Sequence, residues 1–169
     1  KTIKEIRQRA GKKWQTSLID VNKEISDRER EEGRDKEIGE DKKIRISDII
    51  WTNDQWIYDT IWPWMSKAND HAGWKYDITS AESMQITRYK KGGHYNWHID
   101  GHQDHLSGYK TTDNAFLDGN CRKLSMTILL NDNFEGGEFE TMSYGKGKTS
   151  INKPFKDPKK GQIIVFPSC

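Results

Sequence analysis

The chain has 169 residues, enough for one domain with a real core, and 32% of them are charged. A net charge of +2 and a pI near 8.4 exclude a dominant electrostatic grip on a phosphate backbone, which argues against a nucleic-acid partner. No apolar run approaches the ~18 residues of a membrane span, so no membrane partner is expected.

Only two cysteines occur, Cys121 and Cys169, outside any C-x-x-C pattern. They suit reduced thiols and a cytoplasmic location. Mean hydropathy is −1.00, yet seven Trp, six Tyr and five Phe supply large buried area per residue. The composition describes a folded domain with a highly charged surface.

In chain order, residues 1–20 carry Ile3, Ile6 and Ala10 at the spacing of a short helix, interrupted at Gly11. Residues 22–43 form a charge run in which seven bases nearly cancel nine acids. It reads as a solvated, mobile loop and a candidate lid that orders on binding a peptide. Ile44, Ile46 and Ile49 predict a short strand. Thr52, Asn53 or Asp54 then caps a helix with Ile57, Ile61, Trp64, Met65 and Ala68 toward the core, kinked at Pro63.

From residue 75 the apolar period changes from 3.6 to 2. Strands are expected over 84–89, 94–100, 123–131, 137–142 and 162–166, separated by Gly, Asn, Asp and Pro. Strands after one or two helices give a mainly β fold with flanking helices, a barrel or a sandwich.

The stretch RYKKGGHYNWHID (88–100) carries the chemistry. On an extended strand His98 and Asp100 share a face with Asn96, while Tyr95, Trp97 and Ile99 take the other and pack against outer helices. Arg88 joins the latter group by the same alternation. An imidazole and a carboxylate on one face suit non-haem Fe(II), completed by a second histidine. Alternation alone does not separate such a site from an ordinary solvated sheet face. Gly92 and Gly93 allow the chain to reverse into this segment.

The ordered set Gln85, Tyr89, Gly92, Tyr95, His98 and Asp100 reads Q-x-x-x-Y-x-x-G-x-x-Y-x-x-H-x-D. It is followed by RKLSMTILLN, FEGGEFE and a closing GQIIVFPS. This resembles the Fe(II)- and 2-oxoglutarate-dependent dioxygenases, in their prolyl 4-hydroxylase-like branch, from about Ile44 to Cys169. The resemblance implies a double-stranded β-helix (a jelly-roll, cupin-like barrel) over 44–169, with residues 1–43 an N-terminal part of the same domain. His98 and Asp100 would bind Fe(II), with 2-oxoglutarate and O2 as cosubstrates. Tyr89 would line the cosubstrate pocket, where its phenol can donate a hydrogen bond.

The same resemblance implies a second histidine ligand a few residues after F-P-S, and a Lys or Arg farther on for the distal carboxylate of 2-oxoglutarate. Both are expected beyond Cys169, so the domain is read as lacking its C-terminal end. Leu129 stands where some relatives use a tyrosine for that carboxylate. His94, four residues before His98, lies about 13 Å away along a strand, too far to substitute; His102 and His105 are read as loop residues. Arg122, just before the next strand, is placed to meet substrate at the rim or to form a surface salt bridge. The expected substrate is a protein or peptide containing proline. Within the same chemistry, a free amino acid or a nucleic-acid base stays open, as does a non-catalytic metal- or partner-binding domain.

Overall fold

The structure, a computed structural model, describes residues 2–9, 14–20, 43–101, 108, 117–145 and 147–168. Two helices and eight strands are described, in the order α1 (Thr2–Arg9), β1 (Gln15–Asp20), β2 (Lys43–Thr52), α2 (Gln55–His71), β3 (Met84–Arg88), β4 (His94–Tyr95), β5 (Leu124–Ile128), β6 (Thr141–Gly145), β7 (Lys148–Asn152) and β8 (Ile163–Pro167). The fold is mainly β with few helices, and the described strands form three sheets of four, two and two. The expected lid at 22–43 and the residues His102, His105 and Cys169 lie outside the described residues, apart from Lys43 at the start of β2. No helix among the described residues is long and apolar enough to cross a membrane.

The chain divides into two compact units, each discontinuous in sequence. One comprises Gln8–Asn53 and Ser83–His98. Its frame is the four-stranded sheet, in which β2 is flanked by antiparallel β1 and β3, and also pairs with β4 through Arg45↔Tyr95 and Ile46↔His94. The register sets Thr87 opposite Ile49 and Gln85 opposite Trp51. Since side chains alternate along a strand, Arg45, Ser47 and Ile49 share a face with Gln85 and Thr87, while Asp48 and Ile50 share the other with Ile86 and Arg88. Among the described residues, Ile49 and Ile86 are its buried apolar side chains.

The Gly-Gly turn before β4 has two separate causes. Gly92 sits at φ +80°, a left-handed conformation that glycine takes without strain. A Cβ on Gly93 would stand 2.9 Å from the Lys90 carbonyl oxygen and 3.0 Å from that of Ile46. Any side chain there would push β4 off β2.

The other unit comprises Lys1–Arg7, Asp54–Glu82 and Ile99–Cys169. Its α2 starts with Asp54 at the N-cap, buries Ile57 and runs through Pro63 to His71. Trp64, expected toward the core, is 53% exposed, with Lys67 5.7 Å from its ring centroid. Buried Asn69 closes the helix end by donating from Nδ2 to the Tyr76 carbonyl (2.9 Å) and accepting from the Tyr76 amide (3.1 Å). These two bonds satisfy an amide group that would otherwise be costly to bury.

In the same unit β5 and β8 pair antiparallel from Leu124↔Pro167 to Ile128↔Ile163, and β6 and β7 form a hairpin. Phe139 packs on Phe166 and Phe155 at centroid distances of 5.6 and 5.8 Å. Four expected strands appear with shifted ends; that expected at 137–142 lies at 141–145. The fifth, expected over 94–100, ends at Tyr95.

Candidate metal and cosubstrate site

The early end of β4 changes the faces read from the sequence. His98 does not project opposite Tyr95: its ring stacks on the tyrosine, with centroids 3.5 Å apart and planes 9° from parallel. Trp97 and Ile99 are half exposed, at 50% and 56%, and do not pack under helices. The reason is the ladder itself. β4 runs antiparallel to the beginning of β2, so beyond Tyr95 only Ile44 and Lys43 were left to pair with, and alternation lapses once pairing stops.

The turn after β4 orients His98. Its Nδ1 lies 2.7 Å from the Asn96 carbonyl oxygen. A carbonyl only accepts, so Nδ1 carries the proton and the lone pair of the neutral ring sits on Nε2. A histidine that binds a metal through one nitrogen commonly donates its other N–H to a carbonyl in this way.

Asp100 follows two residues later, half-buried, and its backbone is held at both ends of one peptide group. The Asp100 carbonyl accepts a hydrogen bond from Arg122 Nη1. The amide of Gly101 donates to the Ser168 carbonyl at 2.9 Å, and the Ser168 amide donates to the Lys123 carbonyl at 3.0 Å. Ser168 is 2% exposed, its hydroxyl 2.9 Å from that of Ser125. Arg122 is fixed in turn by Glu82, with Nε donating to Oε1 at 2.7 Å and Nη2 paired with Oε2. Glu82 accepts from the Tyr58 hydroxyl of α2 at its backbone carbonyl, 2.9 Å away. Arg122 thus links Asp100 to the helix.

A third feature lies on the four-stranded sheet. Arg45 is 5% exposed. Its Nε donates to Ser47 Oγ (2.8 Å), and its Nη2 donates to Gln85 Oε1 (2.5 Å) and Thr87 Oγ1 (3.2 Å). The guanidinium carbon stands 4.6 Å from the centroid of Tyr95, the ring on which His98 stacks. Tyr89 follows β3 directly and is 48% exposed. Crowding around its hydroxyl nevertheless raises the phenol above its ordinary pKa, with Arg45 opposing the shift and Tyr95 adding to it. The phenol stays a hydrogen-bond donor throughout the neutral range.

Imidazole and carboxylate are donor types used for ferrous iron, and the tautomer of His98 leaves Nε2 as the ring nitrogen that can donate an electron pair. In their chemistry the two residues fit the group. Among the described residues there is no cluster of three or more His, Cys, Asp and Glu that could hold a metal; the third ligand expected from the resemblance lies outside them.

A family model described as the 2OG-Fe(II) oxygenase superfamily matches residues 84–169, just over half of the chain. The chain belongs to this superfamily. Its members use Fe(II), 2-oxoglutarate and O2, and the matched segment contains Gln85, Tyr89, His98, Asp100 and Arg122. No curated protein and no solved structure matches the chain.

Sequence reasoning missed Arg45 and Glu82. For Arg45 a signal existed, because KIRISDII alternates so that the arginine falls in phase with Ser47 and Ile49, an interior position for a cation. For Glu82 there was none, since its partner is forty residues away.

Proposed function

We propose that this oxygenase hydroxylates a prolyl residue in a protein or peptide, on a double-stranded β-helix of the prolyl 4-hydroxylase-like branch, in the cytoplasm. The observation that carries the reading is His98, whose Nδ1–H is committed to a backbone carbonyl, two residues before Asp100, within the segment matched by the superfamily. His98 Nε2 and the Asp100 carboxylate would hold Fe(II), with a third histidine from outside the described residues. When bound, the metal activates O2 so that one oxygen atom enters a substrate C–H bond while the other enters succinate, formed from 2-oxoglutarate with loss of CO2.

The residues of the chain supply the geometry. Asn96 sets the tautomer of His98, and Tyr95 fixes the plane of its ring. Arg122 and Ser168 hold the peptide that carries Asp100, and a substrate arriving at that rim would meet the Arg122–Glu82 pair. Tyr89 offers a protonated phenol to the cosubstrate.

The full chain, incubated with Fe(II), 2-oxoglutarate and a proline-rich peptide, is expected to give succinate and a one-oxygen gain in peptide mass. Asp100→Ala should stop both while leaving the thermal melting profile in place. Wild-type turnover in that variant would refute the ligand assignment. Succinate formation without a proline-dependent mass gain would refute the prolyl substrate alone.

A further inference from the structure

Asp100 is followed by a glycine, and that pair carries a chemistry of its own. An aspartyl carboxyl can close a five-membered ring on the nitrogen of the next residue, and glycine has no Cβ to obstruct the approach. In that closure a C–N bond forms between Asp100 Cγ and the Gly101 nitrogen. The carboxyl OH and the amide hydrogen leave as water, and a succinimide results. Water then adds back at one of the two ring carbonyls. Addition at Cγ restores aspartate. Addition at the Asp100 carbonyl carbon breaks the original peptide link and gives isoaspartate, whose chain runs through Cβ and Cγ. No oxidant, reductant or other reagent is consumed, and the mass is unchanged.

Ring closure requires the Gly101 nitrogen to give up its hydrogen. In the folded chain that hydrogen is donated to the Ser168 carbonyl at 2.9 Å, and the Ser168 amide is itself tied to the Lys123 carbonyl. The oxygen of the same peptide is held by Arg122, which Glu82 grips in turn. With both polar atoms engaged, the peptide plane is not free to turn toward the carboxyl until one of these bonds opens. Openings of this kind cost less than global unfolding, so they set a rate of their own.

The sequence holds a second pair of the same type, Asp118–Gly119. Both of its residues are exposed, in a turn closed by the Asn120 amide on the Leu117 carbonyl at 2.9 Å. The chain thus contains one aspartyl-glycine clamped beside the candidate ligand and one at the surface.

We infer that Asp100–Gly101 is a self-modification site, gated by the Arg122–Ser168 clamp, through which the candidate ligand turns into isoaspartate and its metal site is retired. The carboxylate of isoaspartate hangs directly from Cα, beside a main chain longer by one carbon, so it no longer stands where Asp100 held it. The loss of metal rests on the oxygenase reading of Asp100; the isomerisation and its gate do not.

The test ages the full chain in warm neutral buffer with EDTA and reads isoaspartate at both positions by electron-transfer fragmentation, which separates the isomers despite their equal mass. In denaturing urea the two pairs should convert at matching rates. In native buffer Asp100 should lag Asp118 by about tenfold or more, which corresponds to an opening free energy of about 1.4 kcal/mol or above. Arg122→Met should remove most of that lag without changing the rate at Asp118. Gly101→Ala should suppress isoaspartate at position 100 even in urea. Mn(II) should slow Asp100 further, and Mn(II) capacity should fall in proportion to the isoaspartate formed there.

A measurement on wild type covers the case in which Arg122→Met does not fold. Across sub-denaturing urea, isomerisation at Asp100 and deuterium exchange at the Gly101 amide should rise together. Absence of isoaspartate at position 100 in urea overturns the site. A native rate equal to that in urea, an undiminished lag in Arg122→Met, or exchange and isomerisation that change independently, overturns the gate. If the lag and its loss are seen but Mn(II) has no effect on Asp100, the ligand reading fails and the self-modification stands.

Discussion

The two faces of the four-stranded sheet each hold an arginine on adjoining strands, and they treat it differently. On one face Arg88 meets a carboxylate: its Nε and Nη2 donate to Asp48 Oδ2 at 3.1 and 2.7 Å, and Lys90 joins the same oxygen at 2.9 Å. The Trp14 ring lies beneath that guanidinium at 4.1 Å. On the other face Arg45 is more deeply buried, and its partners among the described residues are neutral groups. A cation whose charge is answered within the chain belongs to the architecture. One whose partners among the described residues are all neutral is held by hydrogen bonds and a ring face in place of a counter-charge.

The largest test of this contrast is His98→Ala. It should abolish turnover and weaken Mn(II) binding by more than the roughly 10- to 100-fold typical of losing an outer-shell partner. The melting temperature should hardly move, because the ring is exposed and the Arg88 face is untouched. Next comes Arg122→Met, which releases the Asp100 peptide from Glu82. Mn(II) affinity should fall by about 10- to 100-fold, with the melting of the four-stranded sheet unit unchanged. Unchanged metal affinity there would mean that Arg122 has no hold on the ligand.

The smallest effect, and the sharpest on the structural face, is that of Asp48→Asn. Hydrogen bonds from Lys90 and then Arg88 hold the Asp48 carboxyl below its ordinary pKa. A lowered folded-state pKa contributes stability that is present above the unfolded value and is lost as pH falls through the folded one. The variant should therefore melt on the order of a few degrees lower at neutral pH and lose less on acidification, with 2-oxoglutarate binding intact. The comparison would be reversed if Asp48→Asn impaired cosubstrate binding.

The sequence disclosed what rests on local period. The helix around Ile57, the strands ending near Arg88 and Ile128, and the strand before Ser168 were legible because each keeps its period over its whole length. β7 was not, since Lys148–Asn152 is polar and exposed throughout and owes its strand form to its hairpin partner. The face of His98 was misread because alternation presumes a neighbouring strand, and β2 begins only two residues before the rung at Arg45. The chemistry of His98 and Asp100 was visible as residue types. The tie from Asp100 through Arg122 to Glu82 was not, being a contact between distant segments.

One consequence follows from the peptide group between Asp100 and Gly101. Its amide hydrogen is donated to Ser168 at the edge of the β5–β8 pair, and its oxygen is gripped by Arg122. Deuterium should enter that amide only when those two strands come apart, so its exchange rate should match theirs and slow further when metal binds. A single backbone proton beside Asp100 would then report on the parting of β5 from β8.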